Sequence, residues 1–234
     1  MNILLPPQCP VCRRLVEKQH TLCSDCFKKI HFITPPVCRV CGKPFVFLPS
    51  DDNKNKKTFL CLACANQKYF FKAARAGVVY DTASKKIILP FKHADRTDFA
   101  HFICSVMQSA GKELFPKVQA VLPVPIHKFR LLKRKYNQSA LLAQKIADKE
   151  NLLYLPDALQ KVTPTQSQGH LNRNNRRKNV RHSFAVVKKE LIQGKSLLLI
   201  DDVFTTGATV NECAKTLKKA GAKEVYVLTF AKVC

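Results

Sequence analysis

From residue 73 onward, short apolar runs alternate with longer stretches in which apolar residues recur every three or four positions. The runs "AGVVY" (76–80), "VQAVLPVPI" (118–126), "LLYLP" (152–156), "SLLLID" (196–201) and "EVYVLTFA" (224–231) read as strands. Between them, "DTASKKIILPFKH" (81–93) reads as a helix that stops near Pro90, because an interior proline removes a backbone donor. A second helix is expected from about Asp95 to Gly111, a third over "NQSALLAQKIADKE" (137–150), and a fourth over "GATVNECAKTLKKAGA" (207–222). Residues 160–190 show no period and read as irregular and very basic. Strands alternating with helices predict an α/β domain, a mostly parallel sheet with helices on both faces. Ligands of such sheets sit at the carboxyl ends of strands. That brings Pro123–Lys128, Asp201–Thr209 and the end of the last strand around one crevice.

Before residue 73 the pattern is different: eight cysteines fall into four Cys-x-x-Cys pairs. They make two copies of one unit, "CPVCRRLVEKQHTLCSDCFKKIHF" and "CRVCGKPF" followed, after a polar insertion (48–58), by "TFLCLACANQKYFF". The repeat argues for sequential metal sites, Cys9, Cys12, Cys23 and Cys26 on one zinc and Cys38, Cys41, Cys61 and Cys64 on the other, with a cross-braced pairing as the alternative. Four thiolates make a closed, structural site, and a segment this poor in aliphatic side chains depends on metal to fold. The expected division is therefore a duplicated zinc ribbon over 1–72 and an α/β domain over 73–234. The aromatics Phe45, Phe47, Phe59, Tyr69, Phe70 and Phe71 stand among lysines, and read first as the ribbon's small core and second as a stacking surface for bases. Cys104 and Cys213 fall in helices without metal spacing and read as buried hydrophobes.

The most informative stretch is "LLLIDDVFTTGATV" (197–210). Thr205, Thr206, Gly207, Ala208 and Thr209 open a helix, whose backbone N–H groups and dipole favour a phosphate. Asp201 and Asp202 cannot hold phosphate, but carboxylates accept hydrogen bonds from vicinal hydroxyls, as a ribose offers. The two halves fit one ligand, a ribose 5-phosphate.

Composition adds a partner. Forty Lys and Arg against sixteen Asp and Glu give +24, which favours a polyanion over a merely soluble surface. The basic residues cluster. "HKFRLLKRK" (127–135) carries Lys128, Arg130, Lys133, Arg134 and Lys135, and "HLNRNNRRKNVRH" (170–182) carries Arg173, Arg176, Arg177, Lys178 and Arg181. Lys128 and Arg134, with Lys92 as a further candidate, are expected to neutralise a pyrophosphate. Arg130, Lys133, Lys135 and the five of the second cluster are expected on nucleic acid. No run of about 18 apolar residues exists, so no membrane span is expected, and the N-terminus reads as no signal peptide. A cytoplasmic location follows as the expectation.

Taken together, "LLIDDVFTTGAT" resembles the phosphoribosyl-pyrophosphate (PRPP) motif of type I phosphoribosyltransferases, and the whole chain resembles the ComF family. The resemblance extends to "PVPI" (123–126), "RKYNQSALLA" (134–143), "PTQSQ" (164–168) and "RRKNVRHSF" (176–184). Lys135 stands where the family has glycine, and Lys161 where it often has arginine. The resemblance implies a type I phosphoribosyltransferase-like fold, PRPP as ligand or substrate with Mg²⁺ as its companion ion, and a role in natural transformation. In that role it would handle incoming single-stranded DNA, in the cytoplasm or at the inner membrane beside the competence machinery. Three readings follow: a PRPP-binding DNA-handling protein, a phosphoribosyltransferase acting on an unidentified nitrogen acceptor, and a PRPP-sensing transcriptional regulator. The absence of an evident helix-turn-helix counts against the last.

Overall fold

The computed structural model describes residues 6–46, 59–93, 96–127, 131, 136–163 and 182–234. Its main sheet has five strands, all parallel: β1 (Ala73–Val79), β2 (Ala120–Pro123), β3 (Leu153–Tyr154), β6 (Ser196–Phe204) and β7 (Glu224–Lys232), in the order β1-β7-β6-β2-β3. A separate antiparallel pair joins β4 (Leu159–Lys161) to β5 (Phe184–Val186). The long helices are α3 (Thr82–His93), α4 (Phe99–Gly111), α5 (Gln138–Glu150) and α6 (Ala208–Lys219).

The strand order contains a reversal. From β2 the chain passes through α5 to β3 on one side, and from β6 through α6 to β7 on the other. Right-handed crossovers that run in opposite directions place their helices on opposite faces. The core divides accordingly. Phe91, Phe99, Ile103, Met107, Leu142 and Ile146 of α3, α4 and α5 pack on Leu198, Ile200 and Leu228. On the opposite face, Val210, Cys213, Ala214 and Leu217 of α6 pack on Leu197, Leu199 and Val227. The crevice between β2 and β6 lies at the switch point.

Gly77 in β1 lets α4 come close, since a Cβ there would press on the Val106 side chain and lie 3.3 and 3.4 Å from the Val106 and Phe230 carbonyl oxygens. Cys104 and Cys213 are buried, as expected, and burial holds the Cys104 thiol up at about 11 and that of Cys213 well above its ordinary range.

The ribbon repeat is exact in backbone. Bridges Gln8↔Leu15 and Val37↔Pro44 flank the first knuckle of each copy. Inside them Cys9 N–H donates to Arg14 O and Cys38 N–H to Lys43 O. The second knuckles open the helical turns α1 (Ser24–Phe27) and α2 (Leu62–Ala65). The end of the first copy, the linker and the first knuckle of the second copy cover the outer edge of β1: Val79 N–H donates to His31 O, Ile33 N–H to Gly77 O, and Ala74 N–H to Val40 O. An edge strand covered this way offers no template for another chain. Ile30 of the first copy joins one core, while Phe71 and the second cysteine set join the other.

Four expectations need correction. Helix α3 does not stop at Pro90 but runs to His93. Tertiary contacts hold its last turn: Phe91 is fully buried, Tyr136 Oη donates to Phe91 O at 2.9 Å, and Gln138 Nε2 donates to Lys92 O at 3.1 Å. Helix α4 starts at Phe99 rather than near Asp95: before it the chain closes tight turns, Phe99 N–H to Arg96 O at 3.3 Å and Ala100 N–H to Thr97 O at 2.9 Å, and the Asp98 carboxylate is taken by the Arg96 guanidinium at 2.9 and 2.7 Å. Strand β6 runs through both aspartates to Phe204, its register with β7 continuing to Phe204↔Lys232. Residues 160–190 are bracketed by the β4–β5 pair rather than wholly irregular, with 164–181 outside the described residues.

Candidate functional site

The reversal of strand order opens a cavity of about 510 Å³ at the carboxyl end of the sheet. It is lined by Val124–Ile126 after β2, Asn137–Ser139 at the start of α5, Asp201–Thr205 of β6, Gly207–Val210 at the start of α6, and by Lys92, Lys161 and Val233. The volume falls within the range of small-molecule sites, roughly 300–1,000 Å³. Two helix N-termini face it, each a positive end.

The aspartates sit at the end of the most apolar strand, whose preceding residues Leu197–Ile200 are fully buried. Adjacent strand residues diverge, and the two carboxylates have different partners. Asp202 pairs with Lys92 Nζ at 2.9 Å. Asp201 accepts from Ser139 Oγ at 3.0 Å and from the Asp202 backbone N–H at 2.9 Å. Burial first, and Asp202 second, push the Asp201 pKa up; Lys92 and these hydrogen bonds oppose the rise.

The turn after β6 is built around Gly207, which takes φ +76° as the residue before α6. A side chain at that φ is strained, and a Cβ would lie 2.6 Å from the Phe204 ring. Thr205, Gly207, Ala208 and Thr209 line the cavity. Thr206 does not: its Oγ1 accepts from Ala208 N–H at 3.3 Å, and the residue lines a neighbouring cavity of about 360 Å³.

The segment Tyr136–Ser139 organises the site. Tyr136 and Gln138 cap α3, which carries Lys92. Asn137 caps α5 by accepting from Ser139 N–H at 3.1 Å and donates through Nδ2 to Val124 O at 3.2 Å, while Ser139 holds Asp201. The sequence alone gives these four no role. Asn137 directly before an amphipathic helix was the available signal, since asparagine there is a cap. Lys92, one candidate among several in the sequence, is the cation that pairs with Asp202. Lys161 on β4 also reaches the cavity, with its ammonium 5.6 Å from the Phe184 ring centroid on β5.

Lys128 and Arg134, expected on pyrophosphate, and Arg130, Lys133, Lys135, Arg173, Arg176, Arg177, Lys178 and Arg181, expected on nucleic acid, lie outside the described residues.

The eight cysteines gather as two sets, Cys9, Cys12, Cys23, Cys26 and Cys38, Cys41, Cys61, Cys64, with all four Sγ atoms of each set within 4.8 Å of one another. The sequential arrangement is the one present. Sγ–Sγ distances of 3.5 Å (Cys12–Cys23) and 3.6 Å (Cys41–Cys61) approach the tetrahedral edge of about 3.8 Å that Zn–S bonds near 2.3 Å require. The two sets fit two structural zinc ions. The second is wholly buried, and Cys61 N–H points to Cys38 Sγ at 3.4 Å. Of the ribbon aromatics, Phe71 is buried and tilted on Tyr69, Phe45 meets Phe59 edge-on, and Phe70 is exposed under the Lys215 ammonium. Phe47 lies outside the described residues. No helix among the described residues is long and apolar enough to cross a membrane.

A model described as a double zinc ribbon domain matches residues 1–65, and one described as a phosphoribosyl transferase domain matches residues 109–233. The chain is 28% identical over 232 residues to competence protein F of Haemophilus influenzae, covering 96% of both chains. It is 27% identical over 220 residues to DNA utilization protein YhgH of Escherichia coli K12, covering 94% of this chain and 87% of that one. It is 23% identical over 209 residues to competence protein ComFC of Bacillus subtilis, covering 88% and 82%.

Proposed function

The chain belongs to the phosphoribosyl transferase domain family, and on that premise we propose that it binds PRPP in the switch-point cavity and handles single-stranded DNA during natural transformation. One observation carries the ligand: an N-terminus of α6 shaped by Gly207, with Asp201 and Asp202 beside it, in one cavity of about 510 Å³. The backbone amides of the Gly207 turn, with the hydroxyls of Thr205 and Thr209, take the 5-phosphate. A carboxylate takes the ribose hydroxyls, and Lys92 balances its charge. Lys128 and Arg134 follow β2 closely in sequence and take the pyrophosphate, which Mg²⁺ accompanies through hard oxygen ligands.

The DNA reading rests on the +24 charge, on the basic clusters at 127–135 and 170–182, and on relatives named for competence and DNA utilization. Arg130, Lys133, Lys135, Arg173, Arg176, Arg177, Lys178 and Arg181 supply phosphate contacts. The protein works in the cytoplasm, beside the competence machinery at the inner membrane. The division into a ribbon over 1–72 and a phosphoribosyltransferase-like domain over 73–234 belongs to this reading.

The test is fluorescence anisotropy of a labelled single strand with and without PRPP and Mg²⁺, beside a duplex control. Tight single-strand binding that PRPP shifts supports the proposal; weak binding that ignores strandedness and PRPP refutes it. Replacing Arg173, Arg176 and Arg177 with alanine should flatten the dependence of log K on log salt by about 2, at roughly 0.7 per lost contact.

A second reading is a phosphoribosyltransferase that displaces pyrophosphate with a nitrogen nucleophile. Asp201 favours it: a carboxyl group raised toward neutrality can take up a proton in the working range. Pyrophosphate release on adding nitrogen acceptors tests this directly.

A further inference from the structure

The second zinc ribbon reaches the back of the turn that the cavity uses. Phe204, the last residue of β6, is nearly buried. Its ring meets Phe71, at the end of the second ribbon copy, edge-on with centroids 6.1 Å apart. The same ring occupies the place a Cβ on Gly207 would take, and so sets the conformation of the turn. The Lys232 ammonium sits over the same ring, 3.7 Å from its centroid.

Lys232 is unusual in this chain. It is 4% exposed, and among the described residues no carboxylate pairs with it. It lines the cavity of about 360 Å³ together with Cys41, Cys61, Phe204, Thr205 and Thr206. The thiols of Cys41, Cys234, Cys61 and Cys64 bear electrostatically on its ammonium, three of them from the second cysteine set. Four thiolates around Zn²⁺ leave a dianion, so the loaded cluster is the counter-charge that lets this lysine stay buried. A second connection runs alongside: Phe70 N–H donates to Asn211 Oδ1 in the first turn of α6 at 2.7 Å. Among the described residues the first zinc site has no such link; its neighbours Val11, Leu22 and Ile30 pack on the opposite core.

We propose that Lys232 is a positioning residue that couples occupancy of the Cys38–Cys41–Cys61–Cys64 zinc site to ribose-phosphate binding, through Phe204 and the Gly207 turn. This deepens the PRPP reading and rests on it. Zinc at the second site fixes Lys232, Lys232 fixes the Phe204 ring, and the ring fixes the turn. Coupling of two binding events is reciprocal, so PRPP must in turn hold the second zinc.

The experiment follows zinc release from the intact protein to a metallochromic chelator, with and without PRPP and Mg²⁺, beside calorimetric titration of PRPP. PRPP should slow one of two release phases by about 10-fold and leave the other unchanged. Cys23→Ser, which dismantles the first site, should leave a single phase that PRPP still slows. Lys232→Met keeps the stem and removes the charge; it should weaken PRPP binding and make zinc release indifferent to PRPP, while Lys232→Arg should restore both. PRPP that binds by calorimetry yet leaves both phases unchanged would overturn the coupling alone. PRPP that does not bind would overturn the reading beneath it as well.

Discussion

Asp201 and Gly207 show how the site trades stability for a ligand. In the native protein Asp201 keeps its proton at pH values where the unfolded chain has released it. The folded state then binds more protons, so stability falls as pH rises from the ordinary carboxylate range toward neutrality. Asp201→Asn should therefore stabilise the ligand-free protein, with a gain that grows from mildly acid to neutral pH. Urea midpoints of variant and parent at both pH values check this, and the difference between them cancels the acid release of zinc. The same substitution should abolish PRPP binding. Gly207→Ala meets both a positive φ and the Phe204 ring. It should cost about 1–2 kcal/mol in stability and remove PRPP binding, read by calorimetry.

Among the elements, α3 and the start of α5 act as a pair. The last turn of α3 persists beyond Pro90 because Tyr136 and Gln138 satisfy its carbonyls. Tyr136→Phe removes one of these donors and should cost about 1 kcal/mol, seen as a lower urea midpoint at unchanged slope. Asn137→Ala loses both a cap and the bond to Val124 O. It should cost about 1–2 kcal/mol and weaken PRPP binding, because the start of α5, which carries Ser139, loses its cap and its tie to the chain after β2 together.

At the scale of the whole molecule, the two ribbon copies straddle the β1 edge and join opposite cores. Metal analysis should find two zincs per chain, one for each cysteine set. Stripping both should expose the apolar surface around Ile30 and Phe71, and a hydrophobic dye should brighten on zinc loss and dim on readdition.

The sequence by itself determined what depends on neighbours along the chain. The strand and helix alternation, the duplicated knuckles with their sequential ligands, and the Asp-Asp and Thr-Thr-Gly-Ala-Thr halves of the cavity were all legible, because periodicity, Cys spacing and turn chemistry are local. Tertiary structure decided what depends on contacts between distant residues. Lys92 and Asp202 are 110 positions apart, Ser139 and Asp201 sixty-two, and no local pattern joins them. The run of α3 past Pro90, the diversion of Thr206 out of the cavity, and the burial of Lys232 against the second cysteine set were decided the same way. In each, packing and long-range hydrogen bonds outweighed a local propensity worth a few kcal/mol at most.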